Sequence, residues 1–266
     1  MLIDSHCHLT SPGLIEQIPA VLARAAAAGV GHVINVSVTA EDAAAALAAL
    51  GGRGEVAHVC GVHPHEAARG VDEVARVAEM VRAASAQGAR IVAIGETGLD
   101  FHYDFAPRPA QETVLRAQLA LAVELGLPVV VHARLAEERV CAIIGEYPAL
   151  AGRFVFHCFS AGRDVARQVL DGGGWLSFTG VLTFRNGDAV RDVATFAPLE
   201  RTMIETDAPY LSPEPLRKIK PNEPALLVHT ATRLAGLRGM TLAALAEQLA
   251  ENTRRFFGWP GGPDRA

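Results

Sequence analysis

Short β-branched runs alternate along the chain with longer stretches in which apolar side chains recur every third or fourth position, and this unit occurs eight times. The pattern predicts strands near 2–5, 32–36, 57–61, 91–95, 129–132, 154–157, 174–178 and 203–206. Helical periodicity fills the intervals at 13–28, 40–50, 71–86, 109–125, 135–147, 163–170, 188–194 and 223–234, and a further helix is expected at 242–252. The fourth helix shows the logic: Leu115, Leu119, Ala122 and Leu125 form one stripe, with Gln111, Glu112, Arg116 and Gln118 placed off it. Gly126 is the expected stop and Pro128 opens the next strand.

Strict alternation of strand and helix argues for parallel strands joined by crossover helices. At 266 residues the chain matches a single α/β domain of the (β/α)8 TIM-barrel type, which takes about 250 residues. The barrel is expected over 1–258, and 259–266, with its prolines and glycines, reads as a disordered tail. Chemistry in such a barrel belongs at the C-terminal ends of the strands, so the residues there decide the function.

Six residues of metal-ligand type fall at that end. His6 and His8 close the first strand one residue apart, where alternation puts both imidazoles on one face. Glu96 follows strand four, His132 ends strand five, His157 ends strand six and Asp207 follows strand eight. Histidines scattered by packing would not all choose one end. Four imidazoles and two carboxylates exceed what one tetrahedral ion with an open position needs, so they suit two divalent ions. The expected assignment is His6, His8 and Asp207 on one ion, His132 and His157 on the other, and Glu96 between them. Nitrogen-rich ligation favours zinc, manganese or another transition ion over magnesium. A water of lowered pKa is then the nucleophile, and Asp207 can accept its proton. Glu96 and Asp207 are thus the candidate catalytic carboxylates.

Charge and composition narrow the partners. A formal net charge of −5 argues against a protein that coats nucleic acid by bulk attraction, while leaving room for a local positive funnel at a scissile phosphate. The two lysines, Lys218 and Lys220, sit with Arg217 in the loop after strand eight, on the active rim. With Arg134 and Arg185 they are candidates for guiding a polyanion, and His63, after strand three, for contacting substrate phosphate. No uncharged apolar run approaches the roughly 18 residues of a membrane span, and no secretion signal is readable at the start. Cys7, Cys60, Cys141 and Cys158 form no CxxC pair and read as reduced, buried side chains of a cytoplasmic protein. The pattern leaves the oligomeric state open.

The strings Asp-Ser-His-Cys-His (4–8), Gly-Val-His-Pro-His-Glu-Ala (61–67), Gly-Glu-Thr-Gly-Leu-Asp (95–100), His-Cys-Phe-Ser (157–160), Glu-Thr-Asp-Ala-Pro-Tyr-Leu (205–211) and Asn-Glu-Pro (222–224) together resemble the TatD family of metal-dependent deoxyribonucleases. The resemblance spans residues 1 to about 258. It implies a distorted, amidohydrolase-like (β/α)8 barrel, two metals at the six positions above, and hydrolysis of phosphodiesters, commonly as a 3′ to 5′ exonuclease on single-stranded DNA ends. It also makes the loop holding His102 and Tyr103 a substrate-side loop. Two positions depart from the family pattern: Leu135 stands where an acid is common, and Pro221 where an arginine is usual. Relatives that bridge their metals with a carbamylated lysine after strand four are excluded as a template, because that place holds Glu96 and no lysine precedes Lys218. The competing readings are a two-metal hydrolase of a small-molecule or aminoacyl ester, and a non-catalytic metal-binding barrel.

Overall fold

The computed structural model describes residues 1–259. Eight parallel strands follow one another in sequence order, β1 (Leu2–Cys7), β2 (Val30–Ser37), β3 (Val56–Cys60), β4 (Ile91–Asp100), β5 (Val129–Arg134), β6 (Phe154–Phe156), β7 (Trp175–Phe178) and β8 (Thr202–Ile204). The helices between and after them are α1 (Ile18–Ala27), α2 (Ala40–Leu50), α3 (Val71–Ala86), α4 (Arg108–Leu125), α5 (Glu137–Gly145), α6 (Arg163–Asp171), α7 (Asp188–Phe196), α8 (Leu227–Arg238) and α9 (Leu242–Phe257). This is the (β/α)8 TIM barrel. It is nearly closed: β1 and β8 meet through one isolated parallel bridge, Cys7 to Ala208, with His8 N–H donating to Ala208 O at 2.7 Å and Asp207 N–H to His6 O at 3.0 Å. The buried Asp4 carboxylate ties the same seam, accepting from Thr206 N–H at 2.9 Å and Thr206 Oγ1 at 2.5 Å.

Two apolar layers follow from strand alternation. Ile34, Ala57, Val59, Val130, Val155 and Met203 fill the barrel, and Phe256 and Phe257 from α9, with Trp259 just after its Gly258 cap, join them. Residues of the other parity, such as Val33, Val56, Cys60 and Val131, pack outward against the helices. Trp259 is 5 % exposed and meets His32 at 4.8 Å between ring centroids, so the buried chain runs one residue past the expected start of the tail. The remainder of that tail, 260–266, lies outside the described residues. Among the described residues no helix is long and apolar enough to cross a membrane. The cysteines are free, with Cys7 and Cys60 buried but Cys141 and Cys158 only partly so.

The element boundaries differ from the periodicity where special residues intervene. The 13–28 helix begins only at Ile18, with Pro19 in its first turn. The 223–234 helix starts as a 3-10 turn at Pro224–Leu226 and runs on to Arg238, where Gly239 in the left-handed conformation caps it. Gln111 and Gln118 correct the reading of α4: both are fully buried, on the face shared with Leu115 and Ala122, and both hold βα loops. Gln118 Nε2 donates to Thr97 Oγ1 at 2.6 Å and to Val62 O at 2.9 Å, while its Oε1 accepts from Val62 N–H at 2.7 Å. Gln111 accepts from Asp100 N–H at 2.8 Å and donates to Ala106 O at 2.8 Å.

His58 lies on the outward face of β3 between Val56 and Cys60, and burial pushes its imidazole down from 6.5 to about 4. The unfolded chain takes up this proton near pH 6.5, the folded chain only near 4. Between those values the unfolded state binds more protons, so stability falls as the pH drops through the window, by roughly 3 kcal/mol in full. A His58→Gln variant is expected to melt with a shallower loss of Tm between pH 6.5 and 4.5 than the parent chain. Parallel Tm curves for the two proteins would refute the assignment.

Candidate metal centre

The C-terminal mouth of the barrel gathers all six of the ligand-type residues. His6 and His8 face inward from the end of β1 with Nε2 atoms 3.2 Å apart. Glu96 lies within an irregularity in β4, where pairing with β5 shifts between Ile94 and Thr97, and its carboxylate faces the mouth. His132 stands on β5, and His157 follows β6 with its N–H on Val131 O at 3.1 Å. Asp207 follows β8 in the left-handed region, at φ 53°.

Each oxygen of Glu96 faces a separate group. Oε2 lies 3.3 Å from His6 Nε2 and 3.7 Å from His8 Nε2, and Asp207 Oδ1 sits 3.8 and 3.6 Å from the same two nitrogens. Oε1 lies 2.7 Å from His157 Nε2 and 2.8 Å from His132 Nδ1, and those two nitrogens are 3.3 Å apart. Donor atoms bound at about 2.0–2.2 Å in a tetrahedron would stand about 3.3–3.6 Å from each other, close to the spacing of the first group.

Tautomers sharpen the assignment. His8 Nδ1–H donates to Val36 O at 2.9 Å, which leaves the Nε2 lone pair directed into the mouth. His132 Nε2–H donates to Asp100 Oδ2 at 3.2 Å, leaving Nδ1 as its free donor atom. Glu205 Oε1 lies 3.3 Å behind His157 Nδ1 and likewise turns Nε2 inward. Lone pairs aimed at carboxylate oxygens repel unless a proton or a cation lies between them, so the donor set fits divalent ions.

His63 behaves differently. Its Nε2 also approaches Glu96 Oε1, at 3.3 Å, but its Nδ1 accepts the His65 N–H at 3.1 Å, so Nε2 carries the hydrogen and is a donor with no lone pair for a metal. Glu205 could be counted as a ligand with His6 and His157. Its oxygens are already taken, however, by Cys158 N–H at 2.6 Å and Ser177 Oγ at 2.5 Å, so it orients His157 instead.

The charges are mutually dependent. Burial raises the Glu96 carboxyl, but the surrounding His157, His63 and His132 outweigh it and hold the acid well below the usual carboxylate range. Burial acts against Asp207 too, and His8, His157 and His6 bring it below its ordinary value. Burial dominates at His63, whose imidazole is pushed down to about 4 and is neutral at pH 7. His157 is depressed by burial yet held well above the ordinary imidazole value by Glu96 and Glu205.

The remaining candidates sit around this centre. Arg134 is at the end of β5 with its guanidinium 4.7 Å from the Tyr103 ring centroid. Arg217, Lys218 and Lys220 are all exposed in the loop between β8 and α8, with the Arg217 guanidinium 3.6 Å from the Phe184 ring centroid. Arg185 is exposed in the loop after β7. The Asn-Glu-Pro stretch holds that β8 loop: Asn222 Nδ2 donates to Thr206 O at 3.0 Å and Tyr210 O at 2.6 Å, and Glu223 pairs with Arg24 at 2.6 Å. Asp100 and Glu205 escaped the sequence reading. Their signal was a carboxylate two or four residues from a ligand on an extended segment, Glu205 before Asp207 and Asp100 after Glu96.

The sequence model of the family described as TatD related DNase matches residues 3–258. The chain belongs to that family. This TatD-family member is therefore a metal-dependent hydrolase by descent, and its relatives agree. It is 37% identical over 259 residues to the uncharacterized metal-dependent hydrolase YcfH of Escherichia coli K12, covering 96% of this chain and 95% of the relative. It is 38% identical over 261 residues to the 3′-5′ ssDNA/RNA exonuclease TatD of Enterobacter lignolyticus, covering 97% and 99%. Among solved structures, YjjV, a TatD homolog from Escherichia coli K12, superposes with a TM-score of 0.90 at 30% identity, covering 97% of this chain and 98% of that one.

Proposed function

We propose that this TatD-family chain hydrolyses phosphodiester bonds at single-stranded DNA ends, removing nucleotides from the 3′ end, with two divalent ions held in the mouth of the barrel. The observation that carries the reading is Glu96, whose two oxygens each face a separate cluster of imidazoles. His6, His8, Asp207 and Glu96 Oε2 would hold one ion, and His132, His157 and Glu96 Oε1 the other. When bound, divalent ions supply Lewis acidity toward a phosphoryl oxygen and lower the pKa of water to about 7.

The chain's own residues do the rest. Glu96 stays ionised among its imidazoles and keeps them turned inward. Asp207 is ionised and its side chain 13% exposed, so its carboxylate can take the proton that the attacking water gives up. His63, neutral and carrying its hydrogen on Nε2, can donate to a non-bridging phosphate oxygen. Arg134, Lys218 and Lys220 supply the positive border in a chain of net charge −5. So small a set of cations gives a shallow salt dependence, on the order of one to three released counterions.

The test uses a single-stranded oligonucleotide labelled at its 5′ end, incubated with the protein and manganese, magnesium or zinc. A ladder shortening from the 3′ end and abolished by chelator is the expected result. Turnover of carboxyl esters with DNA left intact would replace this reading by the ester-hydrolase one.

A further inference from the structure

The loop after β4 carries two aromatic rings that the core does not use. Tyr103 is 47% and Phe105 67% exposed, while Phe101 in the same loop is half-buried against the core, with the Arg108 guanidinium 4.3 Å from its centroid. Large rings are normally buried, and an exposed pair beside an active site marks a surface that a ligand covers.

The two rings are held in place. They stack on one another at 5.4 Å between centroids and 20° between planes. Asp100 Oδ1 accepts the N–H groups of both His102 and Tyr103 at 2.9 Å, and Asp104, at φ 57°, reverses the chain so that Phe105 returns beside Tyr103. Ala106 O is anchored by the buried Gln111 at 2.8 Å. The Arg134 guanidinium lies 4.7 Å from the Tyr103 centroid, and the His65 ring meets Phe105 at 4.7 Å. His65 Nε2 is 2.9 Å from Asp100 Oδ2, the same oxygen that holds His132, and the His65 and His132 centroids are 6.1 Å apart. The rings therefore stand next to the metal centre, braced by the residue that orients one of its imidazoles.

We propose that Tyr103 and Phe105 form a stacking platform for a nucleobase of the strand whose phosphodiester occupies the metal centre, with Phe105 as the contact ring and Tyr103 as its support. The proposal rests on the nucleic-acid reading above and adds to its small set of border cations a second source of strand affinity. A chain with a net charge of −5 and a border of few cations gains only a modest affinity from phosphate attraction. Base stacking supplies affinity without cations and tolerates any sequence, because every base has a π-face. The border of the rings, His65, Arg134 and Asp104, is polar and suits the edges of a base better than an apolar partner.

The experiment compares binding of a fluorescent oligothymidylate with that of an abasic strand of equal length and charge, by anisotropy, on the full chain in chelator and then by KM in manganese. The base-bearing strand is expected to bind about 5- to 100-fold more tightly. Phe105→Ala should remove most of that preference and raise KM for the base-bearing strand alone, and Phe105→Trp should restore both. Equal affinity of the parent chain for the two strands overturns the platform without any variant being made. A preference that survives Phe105→Ala in a folded protein also overturns it, as does a Phe105-dependent dimer with no base preference, which would assign the patch to a second copy of the chain. Base-dependent binding with no metal-dependent nucleotide release would leave the platform standing and remove the hydrolytic reading instead.

Discussion

Glu96→Gln is expected to lower metal-dependent phosphodiester hydrolysis by about a thousandfold or more and to leave the purified protein depleted of divalent metal. Among the described residues the carboxylate is the one group with an oxygen in each cluster, 3.3 Å from His6 Nε2 on one side and 2.7 Å from His157 Nε2 on the other. Replacing one oxygen by an amide removes a full negative charge and puts an N–H donor where a lone pair stood. Metal-ion stabilisation of transition-state charge amounts to several kcal/mol, which converts to the expected loss at 1.36 kcal/mol per tenfold. Because ions that bind only the folded state raise its Tm, the parent chain should be stabilised by added zinc or manganese, and Glu96→Gln should lose that response. Glu205→Gln is the contrast. Glu205 acts on the centre only through the far side of His157, at 3.3 Å from Nδ1, so its loss should weaken metal affinity by about 10- to 100-fold while metal remains detectable at high concentration. Elemental analysis of the two variants separates the roles. A Glu96→Gln protein with the parent's metal content would remove Glu96 from between the two ions.

Much of this arrangement was legible because it depends on short-range rules. Strand parity puts His6 and His8 on one face, and the strand-helix alternation fixes which end of every strand carries chemistry, so residues as far apart in sequence as His6 and Asp207 could be assigned to one mouth. What was not legible depends on which surface meets which. Gln111 and Gln118 look like solvent-facing residues of an amphipathic helix, yet each is fully buried because the loops after β3 and β4 leave backbone groups inside the protein that need partners. β4 was expected to stop at Gly95, but it continues to Asp100. Asp100 thereby comes to orient His132, and its spacing of four residues from Glu96 signals this only once β4 is known to run on as an extended segment. The floor of the barrel shows the same limit: Trp259 follows a helix cap and precedes a Pro-Gly stretch, but it packs on His32 from a strand more than two hundred residues earlier.

The glycines that extend β4 lead to the second large effect, on folding. Gly98→Ala is expected to destabilise the chain by at least about 3 kcal/mol, or roughly 6–12 °C in Tm for a domain of this size. Gly98 pairs with His132 across the β4–β5 ladder at φ 151°, where L side chains are strained, and a Cβ there would lie 1.8 Å from His132 O. That obstacle is backbone in a central strand, so no rotamer change relieves it, and relief by separating the strands would break the hydrogen bonds that align them. The same movement would carry His132 away from Glu96, so the fraction that folds should also bind metal poorly. Gly126→Ala provides the control. Gly126 caps α4 at φ 65° with open space around its Cβ position, and an alanine there meets only the cost of the left-handed conformation, about 1–2 kcal/mol. Thermal unfolding of the two variants in the presence of chelator isolates the packing effect from metal binding. Equal Tm values would mean that β4 and β5 can part without loss, and then the close approach of these strands could not be what holds Glu96 and His132 together.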